Sequence, residues 1–206
     1  MNRLFSSSNK KASIKQPVIV VSGLPRSGTS MMMKILAEGG VPIITDEIRR
    51  ADPDNPNGYF EFETVRQLSS GNMEWLEKAG GKAVKVISAL VEHLPPSYFY
   101  KIIFLERDLK EVMVSQRKML DHRNEQPKGD DVEIEAQMRK HLSVMKPWLM
   151  RQSNMEVLFI NYNALIKDPE PFCDKIINFL ELPLNKTRML AVPNKQLYRN
   201  RASSEK

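Results

Sequence analysis

The stretch Val18–Ser30, VIVVSGLPRSGTS, decides the fold. It opens with a short run of apolar, mostly β-branched residues, which predicts a buried strand. Glycines at positions 23 and 28 then bound a turn, and helix-forming residues follow from Thr29 onward. A strand, a glycine-bounded loop and a helix in this order present backbone N–H groups and a helix N-terminus to a phosphate.

The loop departs from the P-loop motif at one position. Gly23 and Gly28, followed by Thr29 and Ser30, match the pattern G-x-x-x-x-G-K-[ST], except that threonine replaces the lysine. In P-loop NTPases this lysine reaches the β- and γ-phosphates, and the Ser/Thr holds Mg²⁺. The nearest cation here is Arg26, three positions earlier. The loop therefore predicts a nucleotide with a short 5′ chain and no obligatory metal; a tight turn without a ligand is the alternative.

The composition is that of an ordinary globular chain. Its 206 residues suit one α/β domain, expected at 17–206 after a flexible basic tail at 1–16. The tail lacks the apolar segment of a secretory signal, and no apolar run approaches the ~20 residues of a membrane span. A lone cysteine, Cys173, indicates a reducing, cytoplasmic setting. The net charge of +6 arises from interspersed charges, which favours an anionic cofactor over nucleic acid.

Strand and helix patterns alternate along the rest of the chain. Strands are predicted at 16–22, 41–45, 82–87, 99–105 and 155–161. Helices are predicted at 29–38, 63–69, 73–79, 89–93, 109–120, 132–152, 168–180 and 186–191, with Asp108 and Asp168 as N-caps. This alternation predicts a P-loop-type three-layer α/β/α fold with a mostly parallel central sheet. Ligands of such sheets bind beyond the carboxyl ends of the strands, so the loops after three of these strands should share one crevice.

The loop and two later motifs together resemble one enzyme family. Pro25 to Ser30 is similar to a loop for a 5′-phosphosulfate, PRSGT(T/S). Arg107 at a strand end, with Ser115 eight residues later in a helix, resembles a 3′-phosphate site. The segments NPNGYFE at 55–61 and AVPNKQLYRNR at 191–201 are similar to segments in a bacterial branch of the same family. The chain after residue 16 thus resembles sulfotransferases that use 3′-phosphoadenosine 5′-phosphosulfate (PAPS).

The resemblance implies an activity and a donor. The reaction would move a sulfuryl group from PAPS to a hydroxyl, or an amine, of a small molecule or carbohydrate. Adenosine 3′,5′-bisphosphate (PAP) would leave, and no metal would be required. The family's glycine-rich Arg/Lys loop has no counterpart here, and Arg199 and Arg201 are candidates to replace it at the cofactor.

The resemblance also implies roles for the loop and for one strand lysine. Arg26 is assigned to the leaving phosphate and the sulfuryl oxygens. The N–H groups of Ser27, Gly28, Thr29 and Ser30 are assigned to the 5′-phosphate. Lys85 is similar to the family's second cation near the transferred group, with a lysine on a solvated strand face as the alternative.

Arg107 and Ser115 are assigned to the ribose 3′-phosphate. They stand on one face of the predicted helix, because Ser115 follows its start by about two turns. The alternative is that Arg107 pairs with Glu111 while Ser115 bonds its own helix backbone.

Three carboxylates are candidates for the base that takes the acceptor proton. Glu47 falls, without gaps from Arg26, where tyrosylprotein sulfotransferases place their glutamate. Glu61 and Asp46 can enter the same crevice. Each of these carboxylates is individually more often a solvated charge or part of an ion pair, and His93 is the alternative base.

Two other classes of function are alternatives. A P-loop kinase or NTPase would use Glu106, after the strand at 99–105, in the manner of a Walker-B acid; the missing lysine at position 29 argues against it. A nucleotide-binding module without catalysis is the third possibility. The loops at 46–62 and 121–131 are predicted to shape an acceptor pocket, and the acceptor itself is left open.

Overall fold

A computed structural model describes residues 16–46, 48, 52, 55, 58–126 and 129–193. Three of the predicted site residues, Glu47, Arg199 and Arg201, lie outside these ranges, as do residues 1–15 of the predicted tail. The assignments made for them stay predictions.

One sheet of parallel strands lies at the centre of the molecule. Its strands are β1 (Val18–Gly23), β2 (Ile43–Ile44), β3 (Ala83–Lys85), β4 (Tyr100–Glu106) and β5 (Met155–Asn161). Their order is β2-β3-β1-β4-β5, and every neighbouring pair is parallel. Strand β1 is fully buried between β3 and β4, as its β-branched sequence predicts. The register sets Val21 beside Lys85 and Gly23 beside Leu105, so the loop after β1 adjoins the ends of both neighbours.

Helices cover both faces of this sheet. The α-helices are α1 (Thr29–Gly39), α2 (Leu109–His122), α3 (Asp131–Met150), α4 (Tyr162–Lys167), α5 (Glu170–Leu180) and α6 (Lys186–Leu190). Short 3₁₀ helices occupy Glu63–Ser70, Glu74–Lys78 and Ser88–His93. Among the described residues, no helix is both long and apolar enough to cross a membrane.

Alternate residues of β1 belong to two separate cores. Ile19 and Val21 belong to a core that contains buried residues of α1, α4, α5 and α6. Val18 and Val20 belong to a core that contains buried residues of the 3₁₀ helices and of the C-terminal part of α3. Side chains of a strand point alternately to opposite faces, so this division shows helices on either side of one sheet. The predicted three-layer α/β/α fold with a parallel sheet is confirmed.

Local capping signals explain where two of the helices begin and end. The C-cap of α1 is Gly40, which adopts the left-handed conformation with φ of 101°, as expected for a glycine that follows a helix. Asp108 caps α2, because its carboxylate accepts hydrogen bonds from the N–H groups of Lys110 and Glu111. The N-cap at Asp108 agrees with the sequence prediction.

The prediction was wrong around residue 168. A short helix, α4, follows β5 directly, and the side chain of Asn161 caps it by accepting from the Ala164 N–H. Asp168 ends this helix, and Pro169 rather than Asp168 is the N-cap of α5. A helix of six residues contains too few turns to leave a clear apolar period in the sequence.

Candidate functional site

The loop between β1 and α1 depends on two glycines. Gly23 and Gly28 have φ values of 142° and 101°, which side chains rarely adopt. A Cβ atom at Gly23 would lie 2.7 Å from the Leu105 carbonyl oxygen, and one at Gly28 would lie 2.3 Å from the Tyr162 ring. The loop is therefore packed tightly against the end of β4 and the start of α4.

The start of α1 offers hydrogen-bond donors that the helix itself does not use. Gly28 is its N-cap, without a side-chain cap and without an acidic residue in the first turn. The Met32 N–H bonds to the Gly28 carbonyl over 3.1 Å, and N–H groups before it lack an acceptor within the helix. The Ser27 N–H donates to the Leu24 carbonyl and closes the loop.

Ser27 adds a second sign of a ligand. Its hydroxyl oxygen has no hydrogen-bond partner within the described residues, although the residue is only 1% exposed. Buried hydroxyls are rarely left unpaired, so this atom suits a bound group. A loop with an unpaired hydroxyl, N-terminal helix N–H groups and positions that admit only glycine fits an anion such as a phosphate.

Arg26 joins this loop to α2 and β4. Its Nε donates to the Ser115 Oγ over 3.0 Å, across 89 positions of sequence. The Nη1 of Arg107 donates to the Arg26 carbonyl oxygen, also over 3.0 Å. Arg26 has φ of 69°, which turns its carbonyl into this contact. Three residues that the sequence assigns to one cofactor therefore meet in the fold.

The guanidinium of Arg107 is buried in a cluster of its own. Its Nε donates to Glu111 Oε2 over 3.0 Å, with the two side chains only 7% and 2% exposed. Its Cζ lies 4.5 Å from the centre of the Tyr162 ring. The other Glu111 oxygen, Oε1, accepts from the Nδ2 of Asn163 over 2.9 Å. The alternative given for Arg107, a pairing with Glu111, is thus present in the structure. Ser115, which that alternative paired with its own helix backbone, contacts Arg26 instead.

Burial raises the pKa of the Tyr162 hydroxyl above its usual 10.0, while the positive charge of Arg107 acts in the opposite direction. Tyr162 is therefore neutral at physiological pH, and its ring covers the flat face of the guanidinium.

Lys85, the last residue of β3, is buried rather than solvated, with 8% of its side chain exposed. Its Nζ donates to the Tyr59 carbonyl oxygen and lies 3.5 Å from Glu61 Oε1. The hydroxyl of Ser30, in the first turn of α1, donates to the same carbonyl over 3.3 Å. Lys85 and Glu61 therefore lie beside the loop, on the side opposite β4.

The carboxylates predicted as the base differ in what they contact. Asp46 accepts the Glu63 N–H on Oδ2 over 2.6 Å and the Ile48 N–H on Oδ1 over 3.1 Å. Both of its oxygens thus accept from backbone N–H groups. Glu61 contacts Lys85 and, at 3.9 Å, Arg66. His93 ends the 3₁₀ helix that follows β3 and is half-buried.

The sequence prediction missed Tyr162, whose ring contacts Arg107, and Asn163, which donates to Glu111. Both follow β5 immediately, and the rule that sites form at the carboxyl ends of parallel strands could have singled them out. A further contact that it missed joins His141 of α3 to Ser88 after β3, with 2.9 Å between Nε2 and Oγ.

Comparison with known proteins gives one family. The family model described as "Sulfotransferase domain" matches residues 16–203, which is most of the chain. No curated protein matches the chain by sequence.

Several solved structures share the fold. The sulfotransferase STF1 of Mycobacterium tuberculosis superimposes with a TM-score of 0.57 at 14% identity, over 87% of this chain and 72% of that one. Mouse sulfotransferase SULT7A1, solved in complex with PAP, gives 0.53 at 16% identity, over 92% and 67% of the two chains. A sulfotransferase domain from the curacin biosynthetic pathway gives 0.52 at 12% identity, over 88% and 79%. At such identities, the likeness is one of fold.

Proposed function

Because the chain belongs to the sulfotransferase domain family, we propose that it transfers a sulfuryl group from PAPS to a hydroxyl or amine acceptor and releases PAP. One observation carries the proposal: Arg107 and Ser115 both bond to Arg26 where the phosphate-type loop meets the end of β4. Two positive side chains and a hydroxyl beside a helix N-terminus suit a nucleotide with phosphate groups at two positions. PAP, which the mouse structure contains, is such a nucleotide.

PAP has two phosphates, and each would have its own set of hydrogen-bond donors. The N–H groups from Ser27 to Ser30 and the Ser27 hydroxyl would hold the 5′-phosphate. Arg107 and Ser115 would hold the 3′-phosphate. A guanidinium has five N–H donors, so Arg107 can bond to Glu111, to the loop carbonyl and to a phosphate together. The Ser115 hydroxyl, which accepts from Arg26, still has its proton to donate.

When bound, PAPS supplies the sulfuryl group, with PAP as the leaving group. Arg26 would place its N–H donors at the oxygens on which negative charge grows, and Lys85 would do so from the end of β3. Both side chains are held by protein contacts, so little rearrangement is needed at the moment of reaction.

Among the candidate bases within the described residues, Glu61 has the best support. It contacts Lys85, whereas both Asp46 oxygens are engaged by backbone N–H groups. We propose that a Glu61 carboxylate oxygen takes the proton of the acceptor hydroxyl. Glu47 and Asp46 are the other candidates, and His93 is the alternative outside the carboxylates.

The rest of the proposal follows the family resemblance. Arg199 and Arg201 would reach the cofactor, the acceptor would be a small molecule or a carbohydrate, and the reaction would need no metal. The single cysteine fits a cytoplasmic location.

Nucleotide titration by calorimetry tests this function against the two alternatives. We expect PAP to bind in the presence of EDTA and Mg·ATP to bind far more weakly. Tight Mg·ATP binding without PAP binding would favour a kinase or NTPase, and binding of neither would favour a module without nucleotide chemistry. Sulfuryl transfer from labelled PAPS across a panel of hydroxyl and amine acceptors then identifies the acceptor class.

A further inference from the structure

Glu111 is a buried carboxylate beside the proposed cofactor site. It is 2% exposed, and buried carboxylates are costly unless their oxygens are paired. Its two oxygens are both used: Oε2 accepts from Arg107 Nε over 3.0 Å, and Oε1 accepts from Asn163 Nδ2 over 2.9 Å. One bond leads to the end of β4 and the other to α4, so neighbouring elements determine where the carboxylate points.

Three contacts hold the Arg107 side chain in its orientation. Glu111 binds the guanidinium at Nε, the Arg26 carbonyl binds it at Nη1, and the Tyr162 ring lies against its face at 4.5 Å. Of these three neighbours, Glu111 is the only one that carries a negative charge. It therefore makes the strongest of these contacts in a buried setting.

Electrostatics alone would not place a carboxylate here. A negative charge close to a bound phosphate repels it, and the repulsion is poorly screened away from water. The carboxylate can improve phosphate binding only through geometry, by holding the guanidinium in the orientation that the phosphate needs before it binds.

We propose that Glu111, supported by Asn163, is a positioning residue that orients Arg107 for recognition of the ribose 3′-phosphate. The inference rests on the proposed function. It extends that function by naming what makes the protein select PAP over adenosine 5′-monophosphate (AMP). A counter-charge role for Glu111 has the opposite consequence, because removing the charge would then strengthen PAP binding.

The test compares PAP with AMP by calorimetry in wild type, Glu111→Ala and Glu111→Gln. The measured quantity is the selectivity, which is the AMP dissociation constant divided by the PAP dissociation constant. Loss of a hydrogen bond to a charged group predicts a fall of at least about tenfold in Glu111→Ala. The glutamine oxygen can still accept from Arg107 Nε, so Glu111→Gln should restore most of the selectivity. In kinetics, KM for PAPS should rise in Glu111→Ala while kcat at saturating PAPS changes little.

Glu135→Ala is the matched control. Glu135 pairs with Arg139 over 2.6 Å at the same spacing of four residues, but on the surface of α3. Its removal takes away the same kind of ion pair without touching Arg107, so the selectivity should stay at the wild-type value.

Unchanged selectivity in Glu111→Ala, or tighter PAP binding, overturns the inference. If Glu111→Ala does not fold, Asn163→Ala decides, because it keeps the carboxylate charge and removes one of its supports. A fall in selectivity in Asn163→Ala supports the inference, and the wild-type value overturns it. Wild-type protein that binds PAP and AMP equally would instead refute 3′-phosphate recognition, and with it the proposed function.

Discussion

The two sides of the proposed site are held together in different ways. Beside β4, Ser115 bonds to the Arg26 side chain and Arg107 bonds to the Arg26 carbonyl, each over 3.0 Å. The three residues belong to a loop, a strand end and a helix in the centre of the fold. Beside β3, Ser30 and Lys85 both donate to one carbonyl, that of Tyr59.

This difference predicts a division of labour. Hydrogen bonds between separate elements hold the side chains of the first side, so these side chains are in place before a nucleotide binds. The second side depends on residues 58–62, which lie outside regular secondary structure between β2 and the 3₁₀ helix at Glu63–Ser70. We therefore expect Arg107→Ala and Ser115→Ala on the first side to change nucleotide affinity, and substitutions on the second side to change turnover with PAP affinity intact.

The largest effect is expected on the second side, from Glu61→Gln. If Glu61 is the base, the amide cannot take the acceptor proton, and kcat should fall by ~10²–10⁴. PAP affinity, measured by calorimetry, should stay close to wild type because the 3′- and 5′-phosphate contacts are made elsewhere.

Asp46→Asn and Glu47→Gln are measured in parallel. Asp46→Asn is expected to lower the melting temperature more than the rate, because its two oxygens accept the N–H groups of Glu63 and Ile48. Retention of the wild-type rate by all three variants would remove the carboxylates as bases. His93, or proton loss assisted by the substrate, would then take their place.

Arg26→Ala should have the next largest effect and would show whether the first side also contributes to turnover. Losing one donor to the charge that develops in the transition state costs ~10²–10³ in rate. Arg188→Ala is the control, since Arg188 pairs with Glu38 on the surface over 2.7 Å. A folded Arg26→Ala protein with near-normal turnover would exclude the catalytic role.

Cys173 reports whether these variants keep their fold. It is fully buried in the core that includes α1, and burial raises the pKa of its thiol from 9.0 to about 11. The folded state therefore keeps the thiol neutral, and this contribution to stability falls as the pH rises above 9. Alkylation of Cys173 at pH 8 should therefore be slow in the folded protein. If its rate is the same in a variant and in wild type, the variant has lost activity without unfolding.

Arg107→Ala and Ser115→Ala should have the smallest effect and bear on affinity alone. Each should weaken PAP binding by roughly 1–3 kcal/mol and leave AMP binding almost unchanged, because AMP lacks the 3′-phosphate. Calorimetry on both single variants and the double variant makes the comparison. Equal losses for PAP and AMP would mean that the two residues act only through Arg26 and the loop, and the division between the two sides would fail.

Local signals in the sequence were enough for most of the fold. The β-branched run of β1, the glycines at 23 and 28 and the capping Asp108 each act within a few residues, so their consequences can be predicted without the rest of the chain. The order of strands and helices then implied a parallel sheet, and with it a site at the carboxyl ends of the strands. Helix α4 was not predicted because it is too short to show a helical period of apolar residues.

The contacts between residues that are far apart in the sequence were decided by the tertiary structure alone. The sequence placed Arg26, Arg107 and Ser115 in one site, but only the fold shows Arg26 bonded to Ser115 across 89 positions and Glu111 bonded to Asn163 across 52. The fold also buries Lys85 beside Glu61, and both carboxylate oxygens of Asp46 accept hydrogen bonds from backbone N–H groups. Hydrogen-bond geometry and burial depend on how separate elements pack. A pattern along the chain can therefore name the residue types of a site but not their pairing.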